Sequence, residues 1–417
     1  MPALLASIRE CPDCGIFVEM PTEHSSVDVC CIKCGKTLRH IRHHSMLWTL
    51  TCVVAGLLFY WISACEPLLQ VSLYSRFRWD EIGSGLQVLG EQGFLLLAIL
   101  IFLVVILMPL IKLLGLLIVF GGLHLERPPR WIVTIFRELK HLNPWTMAEI
   151  YLLGVLVAYT RLQAMTHVSI ETAVYALIGL TLSLTAIDVV LDQEAVWQEI
   201  LNRGLINPIK GHAEGFLFGC STCCQANPAA SIICLRCGSN LDHRKPYSLQ
   251  RTWALVLAAI LLYIPANFFP VMNISKLGNT QSYTIMRGVI EFIHAGLWPL
   301  ALLVFVASIV IPALKLIFLI FMLIQTHRES SAYLLGRTRL YRFIEFIGRW
   351  SMIDVFMLSI LVGLMRFGKL ASITAGNGAT YFALVVIFSM LAVLSFDPRL
   401  MWDVGKKSKK SKVLARL

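Results

Sequence analysis

The chain has 417 residues, 57% of them hydrophobic and only 15% charged, against about 25% charged in an average soluble domain. Its mean hydropathy is +0.72 and several apolar runs exceed the roughly 18 residues that cross a hydrocarbon core, which excludes a soluble globular fold and predicts a polytopic membrane protein. The net charge of +11 does not imply a nucleic-acid partner, because 27 of the 36 Lys and Arg residues fall in segments 1–45, 123–145, 193–251, 325–349 and 397–417, the asymmetry of positive-inside topology.

In chain order, residues 1–45 carry Cys11, Cys14, Cys31 and Cys34 as C-x2-C-x16-C-x2-C and read as a cytosolic ribbon. No apolar h-region precedes residue 46, so the first span is expected to be the insertion signal rather than a cleaved leader. Residues 46–192 form a first transmembrane module, with spans at 46–66, 94–123, 146–165 and 172–191. A linker and second ribbon follow at 193–250, with Cys220, Cys223, Cys234 and Cys237 as C-x2-C-x10-C-x2-C. Residues 251–397 repeat the module, with spans near 252–271, 297–324, 351–368 and 379–396, and 398–417 form a basic tail whose Lys406–Lys410 run suits an anionic leaflet. Between the first two spans of the second module, alternation over 271–275, a Gly278-Asn279 turn and extension over 281–285 predict a small extracytoplasmic hairpin. An amphipathic helix is expected at Ile285–His294.

The halves are copies. At an offset of 203, Cys31 pairs with Cys234, Tyr60 with Tyr263, Pro109 with Pro312 and Lys112 with Lys315; at 205, Glu149 pairs with Asp354, Arg161 with Arg366 and Trp197 with Trp402. A register held this long is a tandem duplication. Four spans per copy return the chain to its starting side, so both ribbons and both termini are expected in the cytosol. The fold class is therefore an all-α polytopic membrane protein: twice a four-cysteine zinc ribbon plus about four transmembrane helices, with small β-hairpin segments.

Paired C-x2-C knuckles let four thiolates face one tetrahedral ion, and such ribbons fold on metal with almost no apolar core. Two structural Zn2+ sites are expected. Disulfides would need an oxidising compartment, and Cys30 and Cys224, which adjoin ligand cysteines, are read as bystanders. There is no G-x-S-x-G or H-E-x-x-H, and Gly35-Lys36-Thr37 lacks the first glycine of a P-loop; no enzyme is expected. The histidines cluster only at His40, His43 and His44, beside the membrane. Within the spans, Lys112 and Lys315 each follow a proline by three residues. A buried lysine needs a partner, and Glu149 and Asp354 at the start of the next span are the expected ones. The four residues form a candidate intramembrane polar site, structural or working. Pro109 and Pro312 free backbone carbonyls one turn earlier.

Three motifs bear a family resemblance: Tyr263 to Pro270 (YIPANFFP), Gly348 to Phe356 (GRWSMIDVF) and Asp397 to Asp403 (DPRLMWD). With the ribbon-and-span order, they resemble the paraquat-inducible protein A family, which includes YebS-type paralogues. The resemblance implies an inner-membrane component of an intermembrane phospholipid transport system. Its implied partners are phospholipid and a periplasmic MCE-domain protein that forms a tunnel between the membranes of Gram-negative cells. The alternatives are a zinc- or redox-responsive sensor and a proton-coupled secondary transporter of a small solute.

Overall fold

A computed structural model describes residues 7–21, 28–41, 45–73, 76–163, 166–207, 216–276, 279–330, 332–367 and 371–403. His43, His44, Gly278 and the terminal lysine run lie outside them. The first ribbon consists of two strand pairs, β1 (Ile8–Glu10) with β2 (Phe17–Glu19) and β3 (Asp28–Cys30) with β4 (Thr37–His40). Helix α1 (Ser45–Cys65) runs from this cysteine end to a sheet end, where β5 (Leu69–Leu73), β6 (Arg76–Asp80) and α2 (Ser84–Glu91) follow. The chain returns through α3 (Leu95–Ile101) and α4 (Met108–Leu123), turns through α5 (Trp131–Leu142), and rises again as α6 (Ala148–Gln163). Strand β7 (His167–Ile170), α7 (Thr172–Val190) and α8 (Gln193–Asn202) complete the half.

The second half repeats the order. It has β8 (Leu217–Gly219), β9 (Ala226–Pro228), α9 (Ser248–Phe268), β10 (Met272–Lys276), β11 (Asn279–Tyr283) and α10 (Ile285–His294). Then come α11 (Trp298–Phe305), α12 (Ile311–His327), α13 (Leu334–Ile347), α14 (Ile353–Leu364), β12 (Ala371–Ala375) and α15 (Asn377–Ser395).

At the sheet end each half builds an antiparallel three-stranded sheet, in order β6-β5-β7 and β11-β10-β12. The outer strand β7 or β12 comes from the connection before the last long apolar helix of its half, α7 or α15. Among the described residues, seven helical runs are long and apolar enough to cross a membrane: α1, 95–123, α7, α9, 298–327, 334–364 and α15. The eighth expected span, at 146–165, is α6, which has 16 residues. A 3-10 turn at Asn143–Trp145 separates it from α5, whereas α13 and α14 run on through the 3-10 turn Gly348–Met352.

The prolines act on the backbone. A π-helical turn precedes each, at Phe102–Leu107 and Val306–Val310, as expected where a proline ring excludes the regular hydrogen bond. The Tyr60 hydroxyl donates to the Ile106 carbonyl at 3.2 Å and the Tyr263 hydroxyl to Ile309 at 3.1 Å. The carbonyls three residues before Pro109 and Pro312, beside the positions four residues back that a proline leaves without a helical donor, thus each accept a bond from a tyrosine of the first helix of their half.

The halves meet along α6 and α14. Gly154 permits the close approach, because a Cβ there would lie 3.0 Å from that of Phe356, and the Tyr151 and Phe356 rings pack edge to face at 5.6 Å. All twelve residues of α14 are buried, and α2 closes it from the far side, with Gly85 against the Ser359 carbonyl.

Candidate functional site

The structure gathers the eight expected cysteines into two clusters, in each of which all four Sγ atoms lie within 4.8 Å of one another. Cys11–Cys34 and Cys14–Cys31 are 3.5 Å apart, Cys220–Cys237 3.6 Å and Cys223–Cys234 3.5 Å. A disulfide needs about 2.05 Å, whereas four thiolates at ~2.3 Å from one tetrahedral ion stand about 3.8 Å apart. The donor set fits a metal ion. Burial pushes the Cys34 thiol up to about 11, so a metal binding there displaces protons.

Each knuckle closes with a backbone N–H donated to its first cysteine carbonyl, from Gly15, Gly35, Cys224 and Gly238. All four donors have left-handed backbone, with φ of 66°, 69°, 59° and 71°. Cys224 thus occupies a turn position that glycine fills in the other three knuckles. Cys30 lies exposed on β3, outside the cluster.

The ribbons dock across the halves. The first cluster packs into the core of the second half with Leu319, Tyr341 and Trp402. Arg342 on α13 donates to Asp13 at 2.6 Å and to the Cys34 carbonyl at 3.2 Å, and Lys33 lies 4.4 Å over the Trp402 ring. The second ribbon sits on the first half: Lys140 of α5 donates to the Thr222 carbonyl, and Arg236 lies over the Trp197 ring at 5.5 Å. Lys33 aligns with Arg236 and Trp197 with Trp402 in the repeat, so one cation–ring contact is made twice, each time between halves. Glu194 on α8 ties the ribbons together, pairing with Arg9 at 2.6 Å and Arg236 at 2.5 Å. Burial would raise its carboxyl, but bonds from Arg236 and Arg9 outweigh that and hold it at about 2. Arg9 also bonds Gln225, and Arg39 reaches Asp192 at 2.9 Å.

The intramembrane charges depart from expectation. Lys112 is buried and pairs at 2.6 Å with Asp188 near the end of α7, not with Glu149. Glu149 instead accepts from Arg349 of the other half at 3.4 Å. Lys315, equally buried, forms no ion pair with Asp354; its Nζ lies over Gly348, where a Cβ would sit 2.8 Å away. Asp354 is buried, and its Oδ1 has no hydrogen-bond partner among the described residues. The expected pairing assumed that successive spans are neighbours. In the first half α5 packs on α4 instead, and α6 is carried to the seam with the second half. Asp188 was legible as a carboxylate in an apolar span whose repeat counterpart is Val393.

Two cavities flank the seam. An apolar groove of about 500 Å3 runs along α6 and α7, lined by Leu156, Tyr159, Tyr175 and Ile178, with Glu149 and Trp350 lining it at the cysteine end. A second cavity of about 350 Å3 has a mixed lining, with Asp188, Lys315, Arg342, Glu345 and Arg349 beside apolar residues such as Phe346 and Met390.

Comparison with known proteins follows the same two-part division. The sequence model of the family described as Paraquat-inducible protein A matches residues 46–201 and again 249–405. The chain is 33% identical over 401 residues to the Intermembrane transport protein PqiA of Escherichia coli strain K12, covering 94% of this chain and 95% of the relative. It is 29% identical over 397 residues to the Lipophilic envelope-spanning tunnel protein A of the same strain, covering 95% and 91%. A Probable intermembrane transport protein of Haemophilus influenzae is 26% identical over 411 residues, covering 96% and 97%. No solved structure matches. With one family segment matched on each half and relatives aligned over nearly their whole length, this tandem membrane protein belongs to the paraquat-inducible protein A family.

Proposed function

We propose that the protein is the inner-membrane component of an intermembrane phospholipid transport system. In this reading it carries phospholipid between the bilayer and a periplasmic MCE-domain tunnel protein, and catalyses no covalent chemistry. The carrying observation is the apolar groove on α6 and α7, open on its outer side where Leu156 and Tyr175 are exposed. A lipid tail fits such a surface, and a small polar solute does not. The names of the relatives, which describe intermembrane transport and an envelope-spanning tunnel, support it.

The cysteine end then faces the cytosol, with α6 as the short eighth span and both termini inside, and the two clusters hold structural Zn2+. The sheet end faces the periplasm and offers the exposed Trp79 to the partner. Lys112, Glu149, Lys315 and Asp354 remain the proposed polar site, now distributed about the seam rather than set in two lysine–carboxylate pairs. A redox sensor would need accessible thiolates, yet seven of the eight cluster cysteines are buried.

Photocrosslinkers at Leu156 and Tyr175 should trap phospholipid in cells, and crosslinkers at Trp79 or Ser282 the MCE-domain protein. Reporter fusions should read the sheet end as periplasmic. Groove positions that trap no lipid, in a protein that moves a soluble solute in proteoliposomes, would transfer the assignment to a solute transporter.

A further inference from the structure

The lipid-handling reading leaves open which lipid, and the cysteine end of the groove addresses that. There Glu149 and Arg349, one from each half, face each other at 3.4 Å, longer than the about 2.7–2.9 Å of a tight charge-assisted bond. Their side chains are 46% and 31% exposed. A guanidinium has five N–H donors and a carboxylate about four acceptor positions, and this pair uses one of each among the described residues. Both groups therefore retain most of their bonding capacity at the point where the apolar groove ends.

Arg349 also lines the second cavity, and Trp350, the next residue, lines the groove. The cavity that holds these charges and the apolar groove thus meet at one residue pair. From Glu149 to Tyr159 the groove follows about 15 Å of helix, at 1.5 Å per residue, which is room for much of an acyl chain.

We propose that Arg349 and Glu149 form the head-group seat of this groove, and that the seat selects a glycerophospholipid carrying both a phosphate and a primary ammonium, as phosphatidylethanolamine does. The proposal rests on the lipid-handling reading above. The phosphate accepts from Arg349, and the ammonium donates to Glu149. A head group with a phosphate and only hydroxyls leaves Glu149 facing an anion, which is repulsive. A quaternary ammonium has no N–H to donate. Among the described residues the seat occurs once. In the second half the counterpart of Glu149 is Asp354, which is buried, and the counterparts of Leu156 and Tyr159, Leu361 and Leu364, are wholly covered.

The test is native mass spectrometry of the full chain released from nanodiscs of equal phosphatidylethanolamine, phosphatidylglycerol and phosphatidylcholine. One retained lipid per chain is expected, with phosphatidylethanolamine favoured roughly threefold to fivefold over each of the other two classes, the scale of a partly exposed charge pair. Glu149→Gln should return the ratio among the retained lipids to that of the mixture, and Glu149→Asp should restore part of the preference. Leu156→Trp should reduce retention of every class. Retained lipid at the mixture's proportions, or enrichment unchanged in Glu149→Gln, overturns the head-group seat alone. A wild-type protein that retains no lipid of any class removes the lipid-handling reading with it.

Discussion

Lys112 and Lys315 stand at equivalent positions, equally buried, each three residues after a proline and beyond a π-helical turn. In the first half the lysine has Asp188 at 2.6 Å. In the second, the aspartate's place is taken by Val393, and Lys315 forms no ion pair among the described residues. The faces differ in the same sense: the α6–α7 groove is open, while α14 is buried along its whole length. Both halves retain the same backbone devices, namely the tyrosine bond to the carbonyl before the proline, the three-stranded sheet and the four-cysteine knuckles. What has diverged is charge pairing and access. A duplicated fold keeps what an apolar core cannot do without, and the differences mark where the two halves can do different work.

The largest expected effect tests whether the ribbons truly serve opposite halves. Purified protein should contain about two zinc ions per chain, and Cys34→Ser should lower that to about one. Losing a structural site removes folding free energy on the order of several kcal/mol. Hydrogen exchange should then rise around α13 and Trp402, in the half that does not contain the mutated ribbon. Cys237→Ser should instead loosen α5 and α8. If each substitution loosened only its own half, the crosswise docking would be wrong.

Next comes the lysine asymmetry. Asp188→Asn strands Lys112 in a buried site and should cost about 1–3 kcal/mol, below the 3–5 typical of a fully buried pair because Asp188 is half exposed. Val393→Asp gives the second half the first half's arrangement. If the uncompensated Lys315 charge is used in transport, Val393→Asp should abolish protection from envelope stress while immunoblots show normal protein. Unchanged function with Lys315 paired would make that lysine structural.

Much of this was legible in the sequence. The repeat, the eight cluster cysteines and most helices follow from spacing and hydropathy, because each depends on residues near one another in the chain. The outer strands β7 and β12, the partner of Lys112 and the placement of the ribbons were not legible. These are contacts between distant segments, such as Asp13 with Arg342, and they leave no periodic trace. The pairing rule for Lys112 failed because it took chain order as spatial order, which the short break at Asn143–Trp145 undoes.

The shared backbone device should respond equally in both halves. Tyr60→Phe and Tyr263→Phe each delete one hydroxyl bond to a helix carbonyl just before the proline, at about 1 kcal/mol apiece. The two sites lie in different halves, so the double variant should show the sum in detergent melts. A much larger loss on one side would mean that the two turns are not equivalent.

The smallest effect concerns Cys224, where one knuckle departs from the other three. Its φ of 59° places a Cβ-bearing residue in the left-handed region, at roughly 1–2 kcal/mol for an ordinary L-residue. Glycine has no such penalty, although it loses more freedom on folding. Cys224→Gly should therefore raise the stability of the second ribbon by about 0.5–1 kcal/mol, read as slower zinc release to a chelator, with two metals per chain retained. Gly238→Ala, in the partner knuckle at φ 71°, should shift release in the opposite direction by a similar amount. Loss of one metal in Cys224→Gly would show instead that this thiol helps to hold the ion, for which the clustering of the other four sulfurs within 4.8 Å leaves no need.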